Sequence, residues 1–88
     1  MRKSADWMTI ADDRILEYLA EHESGTPSEM ASTDGMRFSR SYLHQRCDVL
    51  EDYGLVRHLG NGVHIITTEG EQYLNSELDT GSLKPDDE

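Results

Sequence analysis

Two segments of the chain combine arginine, histidine and polar side chains with a complete absence of Asp and Glu. The first acid-free segment, residues 35–47 (GMRFSRSYLHQRC), carries three arginines and one histidine. The second acid-free segment, residues 53–68 (YGLVRHLGNGVHIITT), carries one arginine and two histidines. All eighteen acidic residues lie outside these segments. Because arginine and polar side chains bind phosphate oxygens and base edges, this distribution indicates contact with a nucleic acid.

Four polar side chains of the first acid-free segment are the predicted contacts to bases: Arg40, Ser41, His44 and Gln45. The fork of an arginine matches two acceptors of guanine, and a glutamine pairs with adenine through one donor and one acceptor. Arg40 and Gln45 are therefore the predicted sequence-determining contacts. The alternative is that these side chains form an ordinary solvated helix face.

Two further arginines of this segment, Arg37 and Arg46, are predicted to bind phosphates and to fix the docking angle. For Arg46 the alternative is an ion pair with Asp48 or Glu51, or a contact with a helix end. In the second acid-free segment, the candidates for contact with the DNA backbone are Arg57, His58, Asn61 and His64. Asn61 lies in a Gly-Asn-Gly sequence, so its alternative role is that of a turn residue that tolerates positive φ.

The net charge of −10 opposes a nucleic-acid partner, because a polyanion repels an acidic protein. Only two of the eight basic residues are lysines, Lys3 and Lys84, and this composition is typical of proteins that work in molar salt. At about 1 M salt the Debye length is only about 3 Å, so distant carboxylates act weakly on a DNA phosphate. We therefore expect a halophilic source, the alternative being an ordinary acidic protein of a low-salt cell.

Helices with polar caps are predicted to position the first acid-free segment. Thr9 caps a first helix that extends to about His22, with apolar residues at helical spacing. Residues 26–29 (TPSE) form a capping box with proline at the first helical position, which opens a short second helix. Ser39 caps a third helix that extends to about Tyr53.

The third helix has one apolar side. Leu43, Cys47 and Leu50 recur by steps of four and three, which is the pattern of a stripe that faces a core. Cys47 is accordingly predicted to be a small buried apolar residue and not a redox sensor. The polar residues between these positions then face away from the core.

A hairpin and a final helix follow the third helix. Gly54 is predicted to end that helix in a left-handed C-cap, and strands 55–59 and 63–67 then surround a tight glycine-rich turn. Residues 68–71 (TEGE) form a third capping box that opens the last helix, although Gly70 weakens this prediction.

The last residues have almost no apolar content. Residues 79–88 are therefore predicted to be a disordered acidic tail, and residues 1–78 to be a single folded domain.

This order of elements predicts an α+β winged helix-turn-helix domain, with three helices, a two-stranded wing hairpin and a C-terminal helix. In this fold the third helix enters the major groove, and the hairpin lies against the flanking backbone or minor groove. The two acid-free segments fall on those two elements. The alternative is that the segments lack acids by chance or because they are partly buried.

Residues 38–56 (FSRSYLHQRCDVLEDYGLV) resemble the recognition helix and following turn of winged-helix regulators, with a serine cap, spaced apolar residues, Leu-Glu and then Gly-Leu-Val. Over residues 1–78, including TIADDRILEYL, RCDVLEDYGLVRHLGNGV and TTEGEQYL, the chain is similar to the haloarchaeal phage phi-H repressor-like winged-helix proteins. This resemblance implies regulation of transcription, as a repressor, in a halophilic archaeon.

Several other functions are not predicted. The single cysteine excludes an internal disulfide, and the spacings typical of zinc sites, phosphate-binding glycine loops and nucleophile elbows are absent. We therefore expect no metal, cofactor, small-molecule ligand or enzymatic activity. The chain also has no apolar stretch of membrane-spanning length and no signal peptide at its start, so a soluble cytoplasmic protein is expected.

The predicted partners are double-stranded DNA and a second copy of the chain, since regulators of this fold commonly bind paired half-sites as dimers. The candidate dimer surface consists of Trp7, Met8, Tyr73, Leu74 and Leu78, whose alternative role is to close the core. A rival function is a winged helix that binds another protein without contacting DNA. A weaker rival is an acidic DNA mimic, but its charge should cover the exposed faces that here lack acids.

Overall fold

The computed structural model describes residues 2–83, and its elements follow the predicted order. The helices are α1 (Ile10–His22), α2 (Pro27–Ala31), α3 (Arg40–Asp52) and α4 (Thr68–Leu74). The strands β1 (Val56–Gly60) and β2 (Val63–Ile66) form an antiparallel hairpin between α3 and α4, and a 3-10 turn, Thr80–Ser82, follows α4. This arrangement is the predicted α+β winged helix-turn-helix fold. Within the described residues, no helix is both long and apolar enough to cross a membrane.

The first three helices begin where the sequence predicts, but only α2 and α3 are capped by the predicted hydroxyls, because the buried Thr9 hydroxyl before α1 has no hydrogen-bond partner. The Thr9 backbone N–H, before α1, donates to the Asp12 carboxylate at 3.0 Å. Thr26 and Glu29 exchange two hydrogen bonds of 2.9 and 3.1 Å at the start of α2. The Ser39 hydroxyl accepts a backbone N–H of the first turn of α3 at 3.1 Å. Each cap satisfies a polar group that a helix start leaves without a partner, so local sequence fixes where these helices begin.

One apolar core joins the helices to the hairpin. Its fully buried side chains include Ile15, Leu16, Leu19, Met30, Leu43, Cys47, Leu50, Leu55 and Tyr73. The stripe of α3 is thus the predicted one, and its burial directs the opposite side of α3 toward solvent. Cys47 is fully buried in this core, which confirms the prediction, and burial raises the pKa of its thiol to about 12.

The hairpin is the predicted wing. Gly54 ends α3 with a φ of 81°, and the strands then pair with His58 opposite His64. The register shifts between His58 and Gly60, and Gly60 and Asn61 have φ values of 116° and 55°. Glycine and asparagine tolerate this left-handed region better than other residues, which explains why the turn falls on the Gly-Asn-Gly sequence.

The last helix begins one residue earlier than predicted. Its N-cap is Thr67 and not Thr68, because the Thr67 hydroxyl accepts from the Gly70 N–H at 3.1 Å and donates to the Gly54 carbonyl at 2.7 Å. The bond from Thr67 to the Gly54 carbonyl joins the start of α4 to the end of α3. It explains why Thr67, and not the adjacent Thr68, is the N-cap. The helix ends at Leu74.

The prediction of a disordered tail from residue 79 is wrong for residues 79–83. Thr80 is fully buried, and its hydroxyl bonds to the Lys3 carbonyl at 3.1 Å and to the Ala5 N–H at 2.9 Å. The indole N–H of Trp7 donates to the Thr80 carbonyl at 3.4 Å. Composition did not reveal this packing because the anchor is a polar side chain bonded to backbone. Residues 84–88 of the predicted tail lie outside the described residues.

The apolar residues predicted to form a dimer surface all pack against the core, and four of the five keep some exposed surface. Tyr73 is fully buried, and Trp7, Met8, Leu74 and Leu78 are partly buried against the core. The Trp7 ring also stacks on Tyr53 with a centroid separation of 3.8 Å. Tyr73 therefore has the core role, whereas a dimer contact by the other four side chains stays a prediction.

We expect Gly70→Ala to destabilise the fold, although this change in an exposed helix usually stabilises by about 1 kcal/mol. Gly70 is buried where α4 meets the hairpin, and a Cβ there would collide with the Leu55 carbonyl and lie 2.6 Å from Cγ1 of Ile66. Overpacking of this kind lowers the free energy of unfolding by roughly 1–3 kcal/mol. Denaturant unfolding followed by circular dichroism measures the change, with Glu69→Ala on the exposed side as control. A Gly70→Ala variant as stable as that control would contradict the close approach.

Candidate nucleic-acid interface

The side of α3 that points away from the core carries the predicted base contacts. Arg40, Ser41, His44 and Gln45 are all exposed and lie within the first half of the helix. The Ser39 cap holds the start of α3, so these side chains project from a defined backbone. Arg37 is exposed just before the cap. The structure thus brings these candidates together at the N-terminal end of one helix.

Ion pairing divides the arginines of the described chain into two groups. Arg2, Arg14 and Arg46 each lie 2.6 to 3.0 Å from a carboxylate oxygen. By contrast, Arg37, Arg40 and Arg57 are exposed and form no ion pair with any carboxylate among residues 2–83. The unpaired arginines all lie on the acid-free segments. Their guanidinium groups are therefore available to an anion from another molecule.

Arg46 does not point toward solvent as a phosphate contact would, which corrects the prediction. Its guanidinium is directed toward α1, where Nε and Nη2 donate to the two carboxylate oxygens of Asp12 at 2.8 and 2.6 Å. Nη2 also donates to the Trp7 carbonyl at 3.0 Å. The partner is neither Asp48 nor Glu51. Asp12 lies 34 residues away along the chain, so spacing on a single helix does not reveal the pair.

The Arg46–Asp12 pair is the polar centre of the contact between α1 and α3. The Asp12 side chain is fully buried, and that of Arg46 is 15% exposed. The hydrogen bond to Asp12 raises the pKa of Arg46 above its ordinary value. A buried carboxylate is tolerated only when it is neutralised and hydrogen-bonded, and here the Thr9 N–H supplies a further bond. The pair therefore fixes α3 against α1.

The wing exposes three of its four candidates. Arg57, His58 and Asn61 are exposed, whereas His64 is only 2% exposed. His64 is buried because β2 lies between β1 and Gly25, with which His64 exchanges two backbone hydrogen bonds of 2.8 and 3.0 Å. The predicted backbone contact by His64 is therefore wrong. Asn61 occupies the left-handed turn position of its alternative role, and its contact with DNA stays a prediction.

Carboxylates occupy the second half of α3. Asp48, Glu51 and Asp52 are exposed there, and the last turn has no basic residue. The contact between His44 Nδ1 and Asp48 is long, at 3.7 Å, and exposed, so it adds little stability. The exposed side of α3 is thus basic at its N-terminal half and acidic at its C-terminal half. This polarity gives the candidate surface a definite orientation.

The two acid-free segments adjoin in the folded chain. β1 packs against α3, and Leu43 and Cys47 of α3 share one core with Leu55 and Val56. We define the candidate interface as the exposed candidate residues of both segments. It consists of Arg37, Arg40, Ser41, His44, Gln45, Arg57, His58 and Asn61.

Sequence analysis did not identify Leu59, a large apolar side chain that is 57% exposed beside the wing turn. Regular alternation along β1 from the buried Val56 puts Arg57 and Leu59 on the same outward side, so the exposure of Leu59 follows the strand period. His58 is the residue that departs from this alternation, since it is exposed, and it lies beside the register shift between His58 and Gly60. The alternation itself was the sequence signal that could have identified Leu59.

Comparisons with known proteins agree with this fold. The family model described as winged helix-turn-helix phage repressor matches residues 1–86. The chain is 35% identical to a "Repressor protein" of Halobacterium phage phiH, over 96% of this chain and 98% of that relative. It is 47% identical to the PhiH1 repressor-like protein from Haloarcula marismortui, whose crystal structure matches with a TM-score of 0.92 over 97% of each chain. These findings confirm the family resemblance seen in the sequence.

We expect Arg46→Met to destabilise the fold strongly. The variant leaves the fully buried Asp12 carboxylate without its partner, which lowers the free energy of unfolding by roughly 3–5 kcal/mol. Asp12→Leu and the double variant complete a double-mutant cycle, measured by denaturant unfolding. The double variant should lose less stability than the two single losses together, because it leaves no buried charge.

Arg37→Met is the matched control for this cycle, because Arg37 is exposed and has no carboxylate partner within residues 2–83. Its free energy of unfolding should stay within about 0.5 kcal/mol of the parent value. If Arg46→Met were equally mild, the buried pair would not hold α3 in place.

Proposed function

This chain belongs to the winged helix-turn-helix phage repressor family, and we propose that it is a sequence-specific DNA-binding repressor of transcription. The observation that carries the proposal is the set of exposed arginines, Arg37, Arg40 and Arg57, that lack a carboxylate partner within residues 2–83. A winged helix that binds only proteins has no need to keep such groups clear of acids. DNA phosphates and guanine acceptors are the groups that this surface fits.

In the proposed complex, the N-terminal half of α3 enters the major groove. Arg40 donates to O6 and N7 of a guanine, and Gln45 pairs with an adenine through two hydrogen bonds. Ser41 and His44 lie beside them on the exposed side of α3. Arg37, just before the helix, binds a phosphate and fixes the angle at which α3 enters.

The wing contacts the flanking backbone in this proposal. Arg57 binds a phosphate, and the Asn61 amide supplies a hydrogen bond at the tip. Leu59, which is 57% exposed, packs on the sugar beside that phosphate. The turn is short, so contact with the backbone is favoured over deep insertion into the minor groove.

A salty cytoplasm reconciles the net charge of −10 with DNA binding. At about 1 M salt the Debye length is about 3 Å, so only carboxylates very close to a phosphate repel it. The candidate interface contains no Asp or Glu. The relatives come from a Halobacterium phage and from Haloarcula marismortui, which supports a halophilic source for this chain. The acidic surface thus serves solubility in salt while the acid-free segments serve binding.

The protein acts as a homodimer in this proposal, because a single wing and helix cover only one half-site. The contact between copies does not use Tyr73, which is fully buried, whereas Trp7, Met8, Leu74 and Leu78 stay partly exposed and are its candidates. Paired half-sites in DNA selected by the protein are the expected signature.

Variants of the interface should separate base recognition from positioning. Arg40→Ala and Gln45→Ala are each expected to weaken binding to the preferred site by about 1–3 kcal/mol and to relax discrimination at about one base pair. Arg57→Ala should weaken binding to all sequences alike and reduce the slope of log affinity against log salt by about one unit. Selection from a randomised duplex library and fluorescence anisotropy at two KCl concentrations measure both effects.

Glu69→Ala, an exposed change on α4, is the control for these variants and should bind as the parent does. Unchanged affinity and specificity in both Arg40→Ala and Gln45→Ala would mean that α3 does not recognise bases. The protein-binding alternative would then be the better account.

The fold is expected to be more stable in about 2 M KCl than in about 0.1 M KCl, because eighteen acidic residues on a small domain repel one another when unscreened. Thermal melts followed by circular dichroism measure the two midpoints. A triple variant, Asp48→Asn/Glu51→Gln/Asp52→Asn, removes exposed carboxylates from the negative end of α3 and should narrow the difference. An equal or lower midpoint at the higher salt would refute the halophilic part of the proposal.

A further inference from the structure

Two histidines, one on each strand of the wing, hold the same turn residue. The Gly62 N–H donates to Nε2 of His58 at 3.1 Å, and the Gly62 carbonyl bonds to Nδ1 of His64 at 2.9 Å. The two histidines are paired across the hairpin, and their rings stack with a centroid separation of 4.7 Å. Both polar groups of the Gly62 backbone are thus bound by side chains.

The chemistry of the Gly62 backbone assigns a proton state to each ring. An amide N–H can only donate, so Nε2 of His58 must be unprotonated to accept it. A carbonyl can only accept, so Nδ1 of His64 must carry its hydrogen. The turn shown by the structure therefore requires His58 to be neutral.

His64 cannot leave this arrangement without disturbing the fold. Its ring is buried, and its backbone is bonded in both directions to Gly25, which carries no charge of its own. Burial lowers the pKa of His64, as does neighbouring His58, while Glu51 and Asp48 of α3 oppose this shift. His64 is therefore held in place by its burial and its backbone bonds, whereas His58 is exposed to solvent.

We propose that His58 and His64 are positioning residues for DNA binding: as a neutral stacked pair they hold the wing turn in its binding shape, and protonation of His58 releases it. This inference rests on the proposed DNA-binding function. A proton on Nε2 of His58 would face the Gly62 N–H, so two donors would oppose each other. It would also place a cation 4.7 Å from the buried His64 ring.

The rival hypothesis, that His58 itself binds a phosphate as a cation, predicts the opposite pH dependence. A protonated His58 would then strengthen binding on acidification, because it adds a positive charge beside DNA. Positioning predicts weaker binding on acidification. In molar KCl the added charge is largely screened, so the loss of the turn should dominate.

Affinity for a fluorescent duplex selected at about pH 8 tests this sign, measured by anisotropy in about 2 M KCl at about pH 8 and about pH 5.5. The parent should bind about three- to tenfold more weakly at the lower pH, as expected for the loss of one hydrogen bond. His58→Gln keeps an acceptor but takes up no proton, so its affinity should not fall on acidification; His44, the other exposed histidine of the candidate interface, could only strengthen binding at the lower pH. His58→Leu lacks the acceptor and should bind weakly at both pH values.

His22→Gln is the control, because His22 lies exposed at the end of α1 and bonds to the Tyr18 carbonyl, outside the wing. This variant should keep the pH dependence of the parent. Stronger binding of the parent on acidification, or an unchanged pH dependence in His58→Gln, would overturn the positioning role.

The amide resonance of Gly62 supplies a second measurement that needs no DNA. In nitrogen-15 spectra of the parent this resonance should shift between about pH 8 and about pH 5.5. At about pH 5.5 the Gly62 amide hydrogen should exchange faster in the parent than in His58→Gln at the same pH. An amide that does not respond would overturn the inference even if DNA binds. If the Gly62 amide responds to pH but the protein binds no duplex at either pH, the proposed function is refuted, while the effect of His58 protonation on the wing turn still stands. A responsive amide with pH-independent DNA binding would refute the link between them.

Discussion

The ion pair between Arg46 and Asp12 holds α3 in the position in which its opposite side exposes Arg40 and Gln45. Asp12 accepts the Thr9 N–H before α1 and hydrogen bonds from Nε and Nη2 of Arg46, so one carboxylate joins the start of α1 to the middle of α3. The guanidinium also binds the Trp7 carbonyl, and the Trp7 indole binds Thr80. The N-terminal segment, the C-terminal turn and the two helices are thus connected through one buried charge pair. Because the pair is withdrawn from solvent, molar salt screens it far less than it screens the acidic surface.

The same pair explains how the arginines divide between folding and binding. Arg46 is neutralised inside the domain, whereas Arg40 and Arg57 have no carboxylate partner within residues 2–83 and lie exposed on segments without acids. The exposed carboxylates of α3 begin only at Asp48. The net charge of −10 therefore describes the surface as a whole and not the acid-free segments on which the unpaired arginines lie. Position and pairing of a few arginines decide what this acidic protein can bind.

Local sequence determined those features that depend on residues close together in the chain. The Ser39 cap, the apolar stripe through Cys47 and the left-handed Gly54 were predicted because each acts within one or two turns of backbone. Features that depend on distant partners were not. The sequence offered nearby carboxylates to Arg46, but its partner lies 34 residues away. Likewise the buried Thr80 is stabilised by the far end of the chain, and neither composition nor spacing records that contact.

The account as a whole requires that DNA binds to the acid-free face of α3 and the wing. The most direct test is to record the backbone amide resonances of the labelled protein in molar KCl while a selected duplex is added. The account predicts that the largest changes fall on residues 37–45 of the α3 region and 57–62 of the wing, while α4 and the acidic end of α3 near Glu51 change little. Changes concentrated on α4 or on the acidic half of α3, with the residues around Arg40 unaffected, would contradict it.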